Sequence, residues 1–209
     1  MALAKLLTFS LLAASIGYWV LCIIGALKFL SRRPGERAEG TPPATILKPV
    51  RGLDPDLADN CRAVCRQDYP VYQVIFGVAD PQDPAIPLLQ SVLAESPGER
   101  HRLVIGPEVY GPNRKVSLLQ QMLPFAAHEI VVISDSDVRV GPEYLRHIAP
   151  PFLDETVGLV TCLYRGDGAE GFAARLEAWA INDTFAPSVM AAYATEGVTF
   201  AFGSTLALR

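Results

Sequence analysis

Two aspartates one residue apart, Asp135 and Asp137, follow directly on the apolar run Ile130-Val131-Val132-Ile133-Ser134. In extended backbone, residues i and i+2 share a face, so both carboxylates can reach one hard divalent cation. A cation held there could bridge the phosphates of a nucleotide. The same two residues can instead cap the next helix or close a turn, since aspartate accepts hydrogen bonds from nearby backbone N–H groups. Asp80 ends a second apolar run, Val74-Ile75-Phe76-Gly77-Val78-Ala79, and also opens the turn-like Asp80-Pro81-Gln82-Asp83-Pro84. Three acids gathered in one crevice repel one another unless a cation or a ligand rich in N–H and hydroxyl groups joins them. Gly111-Pro112-Asn113-Arg114-Lys115 is a glycine-containing loop before a helical pattern. Its N–H groups and Lys115 suit a phosphate, and it reads equally as a plain helix start.

The elements that would position these residues alternate between strand and helix. Residues 44–50 read as a strand, and Asp54-Pro55 as an N-cap with proline at the first helical position, opening a helix to about Gln67. A strand over 72–78 follows, then a second cap-and-proline pair, Asp83-Pro84, before a helix to about Glu95. Residues 102–105 form a third strand, 115–126 a helix, and the run ending at Asp135 the central strand. A short helix at 142–148, a strand at 157–163, a helical stretch at 171–193 interrupted near Pro187 and a strand at 199–208 complete the chain. Repeated β-α units with short connections imply an α/β fold, a mostly parallel sheet with helices on both faces. Ligands of such sheets bind beyond the carboxyl ends of the strands, where Asp80, Asp135 and Asp137 all fall.

The 209 residues carry a net charge of −4, so there is no basic footprint for nucleic acid. Residues 6–27 contain no charge and exceed the roughly 20 residues that cross a bilayer. The span runs into Lys28-Phe29-Leu30-Ser31-Arg32-Arg33 rather than a small-residue cleavage site, which favours an uncleaved anchor over a signal peptide. Lys28, Arg32, Arg33 and Arg37 after the span place the body of the protein on the cytoplasmic side. Residues 1–30 are thus expected as a transmembrane anchor, 31–43 as a linker and 44–209 as the domain. Cys61 and Cys65 lie with Leu57 and Val64 on one apolar helix stripe. Neither they nor Cys22, Cys162 and the three histidines have zinc-site spacing. Phe172, Leu176 and Trp179, with Ala180, Ile181, Phe185 and Met190, form an apolar face suited to core packing or, alternatively, to a lipid interface.

Several motifs in fixed order resemble the ceramide glucosyltransferase family, glycosyltransferase family 21, a membrane-bound branch of the inverting family 2 type enzymes with the GT-A fold. They are Leu47-Lys48-Pro49-Val50-Arg51-Gly52, Gln67-Asp68-Tyr69-Pro70, Gly77-Val78-Ala79-Asp80-Pro81-Gln82-Asp83-Pro84-Ala85, Asn113-Arg114-Lys115 and Ser134-Asp135-Ser136-Asp137-Val138-Arg139-Val140. The segments at 157–166 and 201–209 look closer to bacterial members, among them the hopanoid-biosynthesis-associated glycosyltransferases. The resemblance implies that Asp80 contacts the uracil or ribose of a UDP-sugar. It implies that Asp135 and Asp137 form the D-x-D element, Asp137 being the direct ligand of Mg2+ or Mn2+. It also implies that Lys48, Asn113 and Lys115 lie near the donor.

The implied reaction moves glucose or N-acetylglucosamine from a UDP-sugar to a hydroxyl of a hopanoid or ceramide-like lipid, at the bacterial inner membrane. In the family the base is a third aspartate downstream, followed by a Q/R-x-x-R-W motif and further membrane helices. None of these occurs here, and Asp154, Asp167 and Asp183 do not sit in that context, so the catalytic base is unassigned. The chain is expected to be the donor-binding half of such an enzyme, truncated before the third aspartate. Two alternatives remain open. Asp135-Ser136-Asp137-Val138 also resembles the signature of haloacid-dehalogenase-type phosphatases, with Asp135 as nucleophile. The chain could also be a non-catalytic, vestigial nucleotide-binding half-domain.

Overall fold

A computed structural model of the chain describes residues 1–31, 40–96, 101–167 and 171–209. The described residues divide into two compact units. Leu163–Ala201 groups with the N-terminal helix, and the remainder up to Cys162 forms the other unit together with Phe202–Arg209. Most of the expected linker, and the arginines used to orient the span, fall at 32–39, outside the described residues.

The second unit is built on a six-stranded sheet. Its strands are β1 (Ala44–Val50), β2 (Tyr72–Val78), β3 (His101–Ile105), β4 (Ile130–Ser134), β5 (Leu159–Thr161) and β6 (Thr205–Leu208), in the order β3-β2-β1-β4-β6-β5. β1 to β4 are mutually parallel, while β6 runs antiparallel to both β4 and β5. The expected mostly parallel sheet is therefore present. β1 and β2 are buried at every position, so they read as predominantly apolar rather than alternating, with Thr45, Lys48 and Gln73 as buried polar exceptions.

Register aligns the functional ends. Leu47 of β1 pairs with Ile75 of β2 and Ile133 of β4, so the residues after Val78 and Ser134 leave the sheet at the same edge. β5 and β6 are shorter than the apolar runs that predict them; β5 is the edge strand and bonds only to β6.

Alternation along the central strands sends Ile46, Val74, Phe76 and Val132 into one core. They meet Cys61 and Val64 of α2 (Leu57–Cys65), Leu89 and Val92 of α3 (Ala85–Glu95), and Leu145 and Ile148 of a short helix, Tyr144–Ile148. Leu47 and Ile75 face the other way, onto Leu118 and Met122 of α4 (Arg114–Met122). At Gly77 β2 lies close under α4: a Cβ there would run into the Met122 side chain. Cys61 and Cys65 are buried and free, as the apolar stripe predicts. Burial pushes their thiols up to about 11 and about 12.

The cap predicted at Asp54 is displaced. α2 starts at Leu57, after a turn in which Asp56 takes a left-handed conformation with φ 60°. The Asp54 carboxylate instead accepts a hydrogen bond from the Ser136 hydroxyl at 3.3 Å. A partner 82 residues away thus outcompetes the local cap. Asp83 does act as predicted, accepting from Ala85 N at 2.9 Å at the start of α3.

In the first unit, α1 (Ala2–Ser31) is long and apolar enough to cross a membrane. Residues 172–196 form one helical run: α6 (Phe172–Ala180), a π-helical turn (Ile181–Phe185) and α7 (Ala186–Glu196). Pro187 has no N–H to give to the carbonyl four residues back, and the wider π turn absorbs that break. The core-packing expectation fails in α6 and is met in part beyond it, where Ile181, Phe185 and Met190 are half-buried. Phe172, Leu176 and Trp179 are 80%, 48% and 61% exposed, and no residue of α6 is buried.

Candidate functional site

A cleft of about 850 Å3 opens at the carboxyl ends of β1, β2 and β4, lined by Pro49, Val50, Arg51, Ala79, Asp80, Pro81, Asp83, Arg114, Lys115, Leu118, Asp135, Ser136 and Asp137. Asp80, Asp135, Asp137 and Lys115, drawn from three segments of sequence, therefore share one wall. Asp80 also makes its turn: Oδ1 accepts from Gln82 N at 2.9 Å. One carboxylate thus closes a turn and lines the cleft.

The acidic loop is held from every side. The residue before β6 supports it, Asp135 N donating to Ser204 O at 3.1 Å. From α2, Asn60 Nδ2 donates to Ser136 O at 3.3 Å, and before α2, Asp56 pairs with Arg139 at 3.1 Å. The Lys115 ammonium forms an ion pair with the Asp135 carboxylate. Lys48 supplies the deepest support. Its side chain is fully buried, and Nζ donates to Asp135 O at 2.6 Å and Val138 O at 3.3 Å. Burial lowers its pKa to about 8, against the pull of neighbouring acids including Asp137 and Asp135.

Two residues expected near the donor, Lys48 and Asn113, do not line the cleft. Lys48 is absent from the cleft wall because its ammonium turns beneath the acidic loop, where carbonyl oxygens are its nearest acceptors. Asn113 is spent on the helix start, its Oδ1 accepting from Val116 N at 3.2 Å. Sequence reasoning missed the second role of Asp83. Both of its carboxylate oxygens accept from Gly52 N at 3.0 Å, tying the loop after β1 to the start of α3. The Asp-Pro pair signalled the cap but not this second partner. Arg51 and Arg114 line the cleft as well, although neither was singled out for a role.

Asp135, Asp137 and the lining bases make a surface suited to a diphosphate with a hard cation. Among the described residues, no three His, Cys, Asp or Glu side chains converge to hold an ion by themselves. That donor set fits Mg2+ or Mn2+ carried on a ligand, since such ions use one or two carboxylates and take further oxygens from phosphate and water. Of the acids set aside earlier, Asp154 caps its own turn at Thr156 and Asp167 pairs with Arg165 at 3.1 Å.

A parallel α/β sheet with an antiparallel strand beside its acid-bearing strand, and acids at the strand tips, places the chain in the GT-A fold class. It is similar to the mannosyltransferase from Pyrobaculum calidifontis in complex with GDP-Man and Mn2+, with a TM-score of 0.67 and 22% identity over 96% of this chain and 54% of that one. It is also similar to glucosyl-3-phosphoglycerate synthase from Mycobacterium tuberculosis in complex with Mn2+, UDP and phosphoglyceric acid, with a TM-score of 0.53 and 19% identity over 84% of this chain and 59% of that one. At these identities the likeness is one of fold.

Residues 7–209 match the profile of glycosyl transferase family 21, and the chain belongs to that family. The phosphatase alternative falls with that match. The ceramide glucosyltransferase of Candida albicans is 30% identical over 115 residues, covering 49% of this chain and 21% of the relative. That of Gibberella zeae is 32% identical over 139 residues, covering 62% and 26%. The beta-monoglucosyldiacylglycerol synthase of Trichormus variabilis is 29% identical over 120 residues, covering 57% and 25%. The chain thus spans about a fifth to a quarter of the length of these curated relatives.

Proposed function

We propose that this chain is the donor-binding part of a membrane-anchored inverting glycosyltransferase that moves glucose or N-acetylglucosamine from a UDP-sugar to a hopanoid or ceramide-like lipid hydroxyl. The observation that carries the reading is the shared cleft of Asp80, Asp135, Asp137 and Lys115 at the strand tips. Family membership and the lipid acceptors in the relatives' names support it. α1 would be the anchor within residues 1–30, with the domain on the cytoplasmic side of a bacterial inner membrane.

In this reading Asp80 accepts hydrogen bonds from the uracil or ribose. Asp135 and Asp137 would hold Mg2+ or Mn2+, which would supply neutralisation of the charge on the diphosphate leaving group. Lys115 and Arg114 face the phosphate oxygens. Lys48 does not touch the donor; it fixes the backbone that presents Asp135 and Asp137. Asn113 orients the α4 start from which Lys115 projects.

The test is thermal unfolding of the full chain in detergent, with and without UDP and Mn2+. A ligand that binds only the folded state raises its stability by mass action, about 2.7 kcal/mol at a hundred times Kd. UDP with Mn2+ is expected to raise Tm, and Asp137→Ala to abolish the Mn2+-dependent part. Absence of any shift in the unsubstituted chain would refute the reading.

A further inference from the structure

α7 runs parallel to the C-terminal part of α1, and their contacts climb together. Cys22 Sγ donates to Pro187 O at 3.3 Å, and Gly25 lies against the Met190 backbone, where a Cβ would not fit. The rings of Phe29 and Tyr193 meet edge to face at 6.4 Å, and Lys28 Nζ donates to Ala194 O at 3.1 Å. A small residue that lets two backbones approach is the usual device of helix pairs in lipid.

The uncharged run of α1 ends at Leu27. Cys22, five residues earlier, lies about 8 Å below that end along the helix axis. The first turn of α7 therefore sits at the same depth as Cys22, and Ala194 at the level of the Lys28 ammonium. α7 fits that depth, for residues 186–195 contain no charged side chain.

α6 enters α7 through the π turn without a loop, and α7 rather than α6 packs along α1, so α6 leaves the side of α1 at about the depth of Cys22. Its half-buried residues are Ala174 and Ala178, on the side packed toward Gly166. Phe172, Leu176 and Trp179 follow i, i+4, i+7 spacing on the other side and stand exposed. Glu177 lies off that stripe, while Arg175, three residues after Phe172 and four before Trp179, flanks it, where a long basic side chain can reach back to the headgroups. This is the pattern of an interfacial helix with its apolar face about 5–10 Å into the boundary of headgroup and acyl chain.

We infer that the α6–α7 helix is a second membrane contact, seated in the lipid interface beside α1, with Phe172, Leu176 and Trp179 as its inserted face. The partner is the bilayer surface. The inference rests on α1 being the membrane span, and the experiment reports on the two helices separately.

The chain contains two tryptophans, Trp19 in α1 and Trp179 in α6. Trp19→Phe leaves Trp179 as the sole reporter, and Trp179→Phe leaves Trp19. Each full-length variant is reconstituted into phosphatidylcholine vesicles, with or without lipids brominated high on the acyl chain. Trp179 emission is expected to be quenched about two-fold by those bromines and shielded from aqueous iodide, as an interfacial aromatic would be. Leu176→Asp is expected to reverse both effects while leaving Trp19 quenching unchanged. Trp179 open to iodide and untouched by bromine would overturn the inference, as would shielding from both quenchers, which marks a protein partner on that face. If Trp19 also escapes the bromines, the anchor reading itself fails; if only Trp179 does, the anchor stands and this inference alone is lost.

Discussion

Lys48→Met separates the hold on the acidic loop from the stability of the fold. The buried ammonium has its pKa lowered from the ordinary lysine value of 10.5 to about 8. At 1.36 kcal/mol per pKa unit, keeping it charged inside the sheet costs about 3 kcal/mol. Methionine removes that cost and fills a similar volume. It also strips Asp135 O and Val138 O of their donor, a loss of roughly 1–3 kcal/mol for each buried carbonyl left unsatisfied. The carbonyl losses sum to about 2–6 kcal/mol against the roughly 3 regained, so denaturant unfolding at pH 7 is expected to lie between about 1 kcal/mol of stabilisation and about 3 of destabilisation.

The Tm rise with UDP and Mn2+, in contrast, should largely vanish in that variant, because the loop carrying Asp135 and Asp137 loses its deepest tether. A pH series in metal-free protein checks the charge argument. Between about pH 8 and 10.5 the unfolded chain still holds the lysine proton while the folded chain has released it. Folding stability from this group is therefore flat below pH 8 and rises through that window. The difference between the unsubstituted chain and the Lys48→Met variant should show that slope. A Lys48→Met protein with the full UDP–Mn2+ shift would refute the tethering role, and equal pH profiles would refute the buried charge.

Gly77→Ala is expected to destabilise by about 1–3 kcal/mol in denaturant unfolding, because the new methyl group meets Met122 in a filled core. Asp83→Ala removes the acceptor shared by Gly52 N and Ala85 N. It should lower stability by about 1–2 kcal/mol, and calorimetric titration should also show weaker UDP binding as the loop after β1 loosens. Cys61 and Cys65, whose thiols burial raises to about 11 and about 12, should resist iodoacetamide at about pH 8 until the chain unfolds, since the thiolate is the reactive form. Mass spectrometry along a denaturant series reads this directly.

The parts of the fold legible in sequence were those fixed by burial on both faces. β2 and β4 announce themselves through the apolar cores Val74-Ile75-Phe76 and Ile130-Val131-Val132-Ile133, and β1 through Ile46-Leu47, because these positions are wholly or largely buried. Their acidic ends were legible too, since strand tips in such a sheet define where a ligand goes. Features decided by distant partners were not legible. Asp54 before Pro55 looks like a cap under any local rule, yet its carboxylate belongs to Ser136. Lys48 reads as a base at a strand end, and only the parallel register that seats β4 beside β1 turns its ammonium under the loop. The α6 stripe has one pattern for a core and for an interface, and only its exposure in the fold sets the core apart.

The charges around the cleft lead to a further expectation on the proposed reading. Its wall carries four acids, Asp80, Asp83, Asp135 and Asp137, against three bases, Arg51, Arg114 and Lys115, with Lys48 beneath. A wall this close to neutrality offers little net attraction to a diphosphate. Lys115 is moreover already paired with Asp135, and must turn from that carboxylate to reach a phosphate. A divalent cation on Asp135 and Asp137 changes both terms: it adds two positive charges where the diphosphate lies and displaces Lys115 from its partner. UDP and Mn2+ should therefore each bind weakly alone and strongly together, a reciprocal coupling of about 1–3 kcal/mol. Titration of UDP by calorimetry, with and without Mn2+, measures it, and Lys115→Met should weaken UDP binding in Mn2+ while changing fold stability by less than about 1 kcal/mol, as for other exposed ion pairs. UDP affinity independent of Mn2+ would mean that the acids do not gather the cation, and the donor site would have to be sought elsewhere on the sheet.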